Sequence, residues 1–429
     1  MVGTLIKYLG IIIMTSTLYV NSFAQTISSP KNIRVPVTFG NKSKATALVH
    51  TGLKAQITGL TFSKDDKWLA AGGYGEIIIW NIDQPQIQKI FRSPAIKGHV
   101  RSLQFLNKYT LVIGCGNPGS FGQVHIIDLN SNMITYSFAK TKDIITKVAI
   151  SPDKNTVAAG DASGQVYIYN LKENQLIKHI DKLQKEITGL AFRHDTTKLG
   201  MCSIDGHMLV WNLNDHSSFF ADKFSSQLMG FSFLKNGNSA AIAISSKESN
   251  SIKPIAIYSN QSAIKKIKKN GNNQKIFNLE QHRPLTLEIM NQGKYAFIGC
   301  TDGSLMVKPT NNANAHKIIR AHHDWITSIR LSNNESKLAT ADALGVIKIW
   351  STADNRLVIT LIQLCNGVED WLAVTPRGFY CSSTPDLLEW EDKEDVPTHL
   401  INQLNNPNKV YELMLRQPFK KSRNNKRQK

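Results

Sequence analysis

The chain has 429 residues, enough for one large repeat domain or two ordinary ones, and its 41% hydrophobic content excludes a globally disordered polypeptide. The formal charge of +19 points toward anionic partners or surfaces. Lys outnumbers Arg and no single repeat is strongly basic, so most of that excess reads as scattered solvated lysine.

The first residues have the layout of a secretory signal peptide. Lys7 stands in a short basic region, Tyr8 to Val20 form an apolar run, and Ser22-Phe23-Ala24 offers small residues before a cleavage point after Ala24. The run is shorter than the roughly 20 residues that span a bilayer, and no Cys follows it for lipid attachment. The expectation is an exported protein, periplasmic or secreted. Residues 25–44 then lead into the repeats.

From Ala45 onward one pattern recurs: apolar residues at i, i+3 and i+5, a polar turn, a strand of small residues, and a short apolar strand ending in an aromatic. The first apolar positions are Ile57, Val100, Ile145, Ile187, Leu228, Pro284 and Ile326, with spacings of 43, 45, 42, 41, 56 and 42. Alternation in ITGLTF sends Leu60 and Phe62 to one side, and segments such as EIIIW, QVYIY, HMLVW and VIKIW are β-branched and aromatic. No unit carries ten residues of helical periodicity. A period near 43 with four strand-like segments is the mark of a propeller blade.

These units resemble the WD-repeat β-propeller family, over Thr46 to Ile362. The fourth carries Ser203, Asp205 and Trp211, and the seventh carries His322 and Trp350. The resemblance implies a hydrogen-bonded set of His, Ser or Thr, Asp and Trp bracing some blades. The sequence suggests that no unit keeps all four: Leu183 replaces the His of the fourth, Leu53 that of the first, and Asp342 and Leu344 replace Ser and Asp in the seventh. The expected fold is therefore all-β, a seven-bladed propeller over 45–363, with RLVITLI (356–362) as the last outer strand. An eight-bladed alternative builds its last blade from residues near 33–50 and Trp371 to Ser383.

The insertion between the fifth and sixth units holds Lys265, Lys266, Lys268, Lys269 and Lys275, and residues 418–429 form a basic tail. Neither has stacking aromatics or a glycine-rich nucleic-acid motif, so both read as solvated segments with at most weak contact to anionic surfaces, and nucleic acid is disfavoured.

Residues 364–417 form a post-propeller segment. Trp371, Thr375, Pro376, Gly378, Tyr380 and Ser382 resemble a segment that follows the last blade in bacterial exported WD-repeat proteins. Some such relatives also carry a caspase-like peptidase domain, for which no Cys-His pair stands outside the repeats here. A hairpin over 371–383 and a helix over 405–415, with Val410, Leu413 and Met414 on its apolar face, are expected to cover a blade edge. Glu389, Glu391, Asp392, Glu394 and Asp395 read as a helix start or a solvated segment. Cys115, Cys202 and Cys300 read as buried small hydrophobes, and a disulfide between Cys365 and Cys381 stays open.

No catalytic, metal-ligating or cofactor motif appears: HExxH, GxSxG and CxxC are all missing, and His322 and His323 are adjacent and so point apart in a strand. The family resemblance implies a non-enzymatic scaffold that binds another protein through the face where the chain enters each inner strand. The residues there are Gln56, His99, Ile144, Glu186, Gln227, Arg283 and Trp325, with Trp and Arg the natural anchors. The alternative is an enzyme or small-ligand binder using the central channel, which would need three or more convergent carboxylates or histidines at its mouth.

Overall fold

The computed structural model describes residues 32–39, 43–50, 56–224, 227–233, 239–245, 255–259, 282–290, 294–309, 317–364, 369–385, 388–391 and 403–415. Residues 1–31, the lysine-rich insertion and the basic tail lie outside them.

Successive hairpins fold the chain into antiparallel sheets over residues 59–92, 99–141, 145–180, 187–223, 227–259, 284–320 and 326–382. Each sheet's first strand packs beside the next sheet's, and Ile326–Leu331 returns to Gly59–Phe62. The architecture is an all-β propeller. Six of these sheets have the four or more strands of a complete blade, and the sheet over 227–259 has three described strands.

The apolar period fills the gaps between sheets. Ile77, Ile79 and Phe91 meet Val100, Leu103 and Leu111 between the first two sheets, and Phe297, Leu305 and Val307 meet Ile326 and Leu331 between the last two. Cys115, Cys202 and Cys300 lie in second strands with no exposed surface, and burial pushes each thiol up to about 12.

Hydroxyls stitch neighbouring sheets at the rim of the ring. Thr58 Oγ1 donates to Val100 O at 2.7 Å, Thr146 to Ile187 O at 2.7 Å and Thr188 to Leu228 O at 2.6 Å. Thr327 donates to Ile57 O in the same way, so this stitch also crosses from the end of the array to its start. A second latch spans that seam. The Asp66 carboxylate accepts the backbone N–H groups of Asn333 (2.6 Å) and Asn334 (2.9 Å) and the Asn333 amide (2.8 Å).

A complete four-residue brace stands in the seventh unit, correcting the expectation that no unit keeps one. His322 Nδ1 lies 2.9 Å from Asp342 Oδ2, His322 Nε2 lies 2.7 Å from Thr340 Oγ1, and the Trp350 indole N–H donates to Thr340 Oγ1 at 2.9 Å. The hydroxyl member is Thr340, two residues before the position assigned from sequence, and Asp342 supplies the carboxylate. Leu338 is the cross-strand partner of Trp350, so Thr340, two residues on, shares its face. The same register puts Ala71 beside Trp80 and Met201 beside Trp211, and both of those buried indole N–H groups lack a partner. In the fourth unit Ser203 and Asp205 bond each other at 2.5 Å, and Asp205 pairs with His207 at 2.9 Å.

The last outer strand is Leu357–Gln363, paired with Val346–Ser351 as the sequence suggested. The hairpin Trp371–Val374 and Tyr380–Ser382 continues this same sheet outward, so it builds no part of a separate blade with the N-terminal strands. Those strands, Asn32–Phe39 and Ser43–His50, pair with each other instead, and Ser43–His50 also pairs with Leu388–Glu391. Glu389 and Glu391 thus belong to a strand rather than a helix start; residues 392–395 lie outside the described ones.

The hairpin turns at Thr375-Pro376-Arg377-Gly378, where Gly378 takes a φ of 87° and donates its N–H to Thr375 O at 2.9 Å. Helix α1 (Pro407–Leu415) follows, with Asn406 capping the N–H of Lys409 at 2.9 Å and proline in the first turn. Val410 and Leu413 are buried and Met414 packs against the same core. That core joins Ala373, Cys381 and Val410 of the tail to Ile57, Trp80 and Ile90 of the first sheet and Ile349 and Ile359 of the last. The tail is therefore a clasp across the closing seam. Cys381 is a free buried thiol facing Pro85 O at 3.7 Å, with its pKa pushed up by burial to about 12; Cys365 lies outside the described residues.

Candidate functional site

One face of the ring gathers two sets of loops through backbone bonds. In four of the sheets the residue before the inner strand accepts an N–H from the loop between the second and third strands: Ala162 to Ile144 O (3.0 Å), Ile204 to Glu186 O (2.9 Å), Thr301 to Arg283 O (2.9 Å) and Ala343 to Trp325 O (3.0 Å). Asp161 and Asp342 hold these loops by accepting backbone N–H groups two and four residues on. The rim is therefore a rigid platform.

The rim residues expected from sequence differ in what they present. Arg283 is exposed, and Trp325, His99, Glu186 and Gln227 are half-buried. Gln56 and Ile144 are buried and offer a partner little. His99 stacks edge-on against the exposed Tyr74, ring centroids 5.0 Å apart, and its Nδ1 has no hydrogen-bond partner. Burial, with Arg101 adding to it, pushes the His99 pKa below its ordinary value. His322 is buried in the brace while its neighbour His323 is exposed, although both lie in the loop between Lys317–Arg320 and Ile326–Leu331 rather than in a strand. Lys265, Lys266, Lys268, Lys269 and Lys275 lie outside the described residues.

Behind the rim, the inner strands enclose a channel cavity of about 130 Å³. Its charged lining is Arg101, Lys147, Glu288 and Arg330, none of which the sequence reading singled out. Arg101 pairs with Glu186 at 2.8 Å and Arg330 approaches Glu288 at 3.7 Å. Burial, reinforced by Arg101, pushes the Lys147 ammonium pKa down, while burial pushes the Glu288 carboxyl up. The signal was available: Lys147 interrupts the apolar strand ITKVAI at a position held elsewhere by glycine, serine or threonine. Among the described residues, no three His, Cys, Asp or Glu side chains gather closely enough to hold a metal.

The molecule is thus a β-propeller with a loop-built rim and a polar, charged channel. Comparison with known proteins agrees: the family model for the WD domain, G-beta repeat, matches residues 45–81, 133–170 and 314–351, so the chain carries WD repeats. The matches over 133–170 and 314–351 begin in or just before the outer strand of one sheet and end in the third strand of the next, so a sequence repeat ties two sheets together. A chain from a solved structure titled "Crystal Structure of Mitotic Checkpoint Complex" is similar in fold, with a TM-score of 0.57 and 16% identity, covering 76% of this chain and 97% of its own. A search of curated proteins finds no match.

Proposed function

We propose that this protein is an exported, non-enzymatic WD-repeat scaffold that binds another protein through the loop-built rim, with Arg283 and Trp325 as anchors and His99, Glu186 and Gln227 around them. The observation that carries the reading is the backbone stitching of the rim, which presents an exposed Arg and a half-buried Trp on one rigid face. Preorganised aromatic and guanidinium groups of this kind dominate binding energy at protein interfaces. WD-repeat propellers commonly serve as interaction scaffolds, and the similar solved chain is part of a multi-protein assembly.

On this reading the ring has seven blades, with the sheet over 227–259 as the fifth. Support comes from the seven inner strands that line the cavity. Export rests on residues 1–24, removed after Ala24, and N-terminal sequencing of the mature protein tests it: a chain that retains Met1 contradicts export. For the interface, Trp325→Ala with Arg283→Ala should abolish capture of the partner from native envelope or medium while leaving the melting temperature within about 1 °C. Undiminished capture by the double variant would sink the proposal.

A further inference from the structure

We infer that the central channel is a binding site for a small tetrahedral oxyanion of the phosphate or sulfate class, with Lys147 as its principal ligand. The inference does not depend on the protein-binding rim.

Inner-strand geometry singles out Lys147. It stands two residues after the first apolar position of its unit, just past a break in strand register that recurs in every sheet from the second onward. The equivalent positions in the other units are Gly59, Ser102, Gly189, Gly230, Thr286 and Ser328. Lys147 is therefore the single charge in a layer of small and hydroxylated residues, all of which line the same cavity.

The charges around it do not balance. Arg101, Lys147 and Arg330 are three cations, and Glu186 and Glu288 are two carboxylates. Glu186 pairs closely with Arg101 at 2.8 Å, Glu288 stands 3.7 Å from Arg330 in a looser ion pair, and Lys147 makes no hydrogen bond or ion pair among the described residues. Burying an ammonium is costly; Lys147 is half-buried, the Arg101 and Arg330 guanidinium groups near it raise that cost, and Glu186 and Glu288 offset it only in part. An anion between them would give Lys147, Arg101 and Arg330 a shared counter-charge, set against repulsion from Glu186 and Glu288.

Shape and donors fit a compact oxyanion. The cavity of about 130 Å³ is an order of magnitude larger than the roughly 10–15 Å³ one water needs. Ser102 Oγ accepts the Val148 N–H at 2.9 Å, which leaves its own proton free to donate. The Arg330–Glu288 separation of 3.7 Å is longer than a charge-assisted hydrogen bond, so the guanidinium lining the cavity is not locked onto that carboxylate. A tetrahedral anion offers acceptors in as many directions as Lys147, Ser102 and Arg330 approach from.

The test is calorimetric titration of sodium phosphate into the purified chain, against sodium chloride at equal ionic strength, with sulfate as competitor. The expected result is saturable binding of one phosphate per chain, displaced by sulfate. Lys147→Met should weaken it about tenfold or more, while Lys147→Arg should retain it. The same affinity in Lys147→Met, or equal heats from chloride, overturns the inference. Should Lys147→Met fail to fold, phosphorus NMR of phosphate with the unaltered chain decides: sulfate-reversible line broadening supports the site, and no broadening refutes it.

Discussion

Replacing Thr340 by valine removes one hydroxyl from the buried brace while keeping side-chain shape. The neutral imidazole of His322 donates from Nδ1 to Asp342 and accepts at Nε2 from the Thr340 hydroxyl, whose oxygen accepts the Trp350 indole N–H. Every donor and acceptor along this chain is satisfied. Valine strands two buried groups, the indole N–H and imidazole Nε2, and each costs about 1–3 kcal/mol, roughly 2–6 kcal/mol together. Trp80 and Trp211 already live with unpartnered indoles, so the larger share falls on His322. With an unfolding entropy near 2.1 cal/mol/K per residue, a domain of about 300 residues loses ~1.5 °C per kcal/mol, giving an expected fall of about 3–9 °C. Differential scanning fluorimetry reads the shift, and Thr340→Ser, which keeps the hydroxyl, should recover most of it. Equal melting temperatures for the Val and Ser variants would refute the hydrogen-bonded brace.

The same histidine predicts a pH dependence. Burial holds the His322 pKa below its unfolded value near 6.5, so the unfolded chain takes up a proton first as pH falls. Its contribution is present above about pH 6.5 and lost below it, and His322→Gln should flatten the stability profile between about pH 7 and pH 5; an unchanged slope contradicts this. His99 and His125, also depressed by burial, add to the same slope, so the flattening is partial. At the seam, Asp66→Ala leaves two backbone N–H groups without their acceptor and should cost about 1–3 kcal/mol, seen as faster hydrogen exchange in Gly59–Phe62 and Ile326–Leu331 before the other inner strands. Uniform exchange would place closure elsewhere. Deleting residues 366–429 uncovers the core that includes Cys381 and Val410, so it should lower the melting temperature while leaving partner affinity intact; unchanged stability with lost binding would make the tail a binding element instead.

Periodicity made the blades legible, because a sheet packed between two others must repeat its apolar positions at fixed intervals. The tail was legible for a similar reason: a Thr-Pro-x-Gly turn between apolar strands and a Val410–Leu413 stripe each admit one local structure. The brace was misread because its hydroxyl sits by cross-strand register, and register shows only once Leu338 is seen opposite Trp350. The N-terminal strands found Leu388–Glu391, a segment whose acidic residues masked its strand character. The channel charges escaped because Arg101, Lys147, Glu288 and Arg330 converge from four separate units, and a linear reading has no measure of that convergence. The Asp66–Asn333 latch joins residues 267 positions apart and had no sequence signal at all.

The claim that the loop-built rim is the working surface is tested most directly by site-specific photocrosslinking in the native setting. A benzophenone side chain is placed at Arg283 or Trp325 on the rim, or at the exposed Leu176 on an outer strand. The account predicts one shared protein adduct from both rim positions and none from Leu176. An adduct from Leu176 with none from the rim would contradict it.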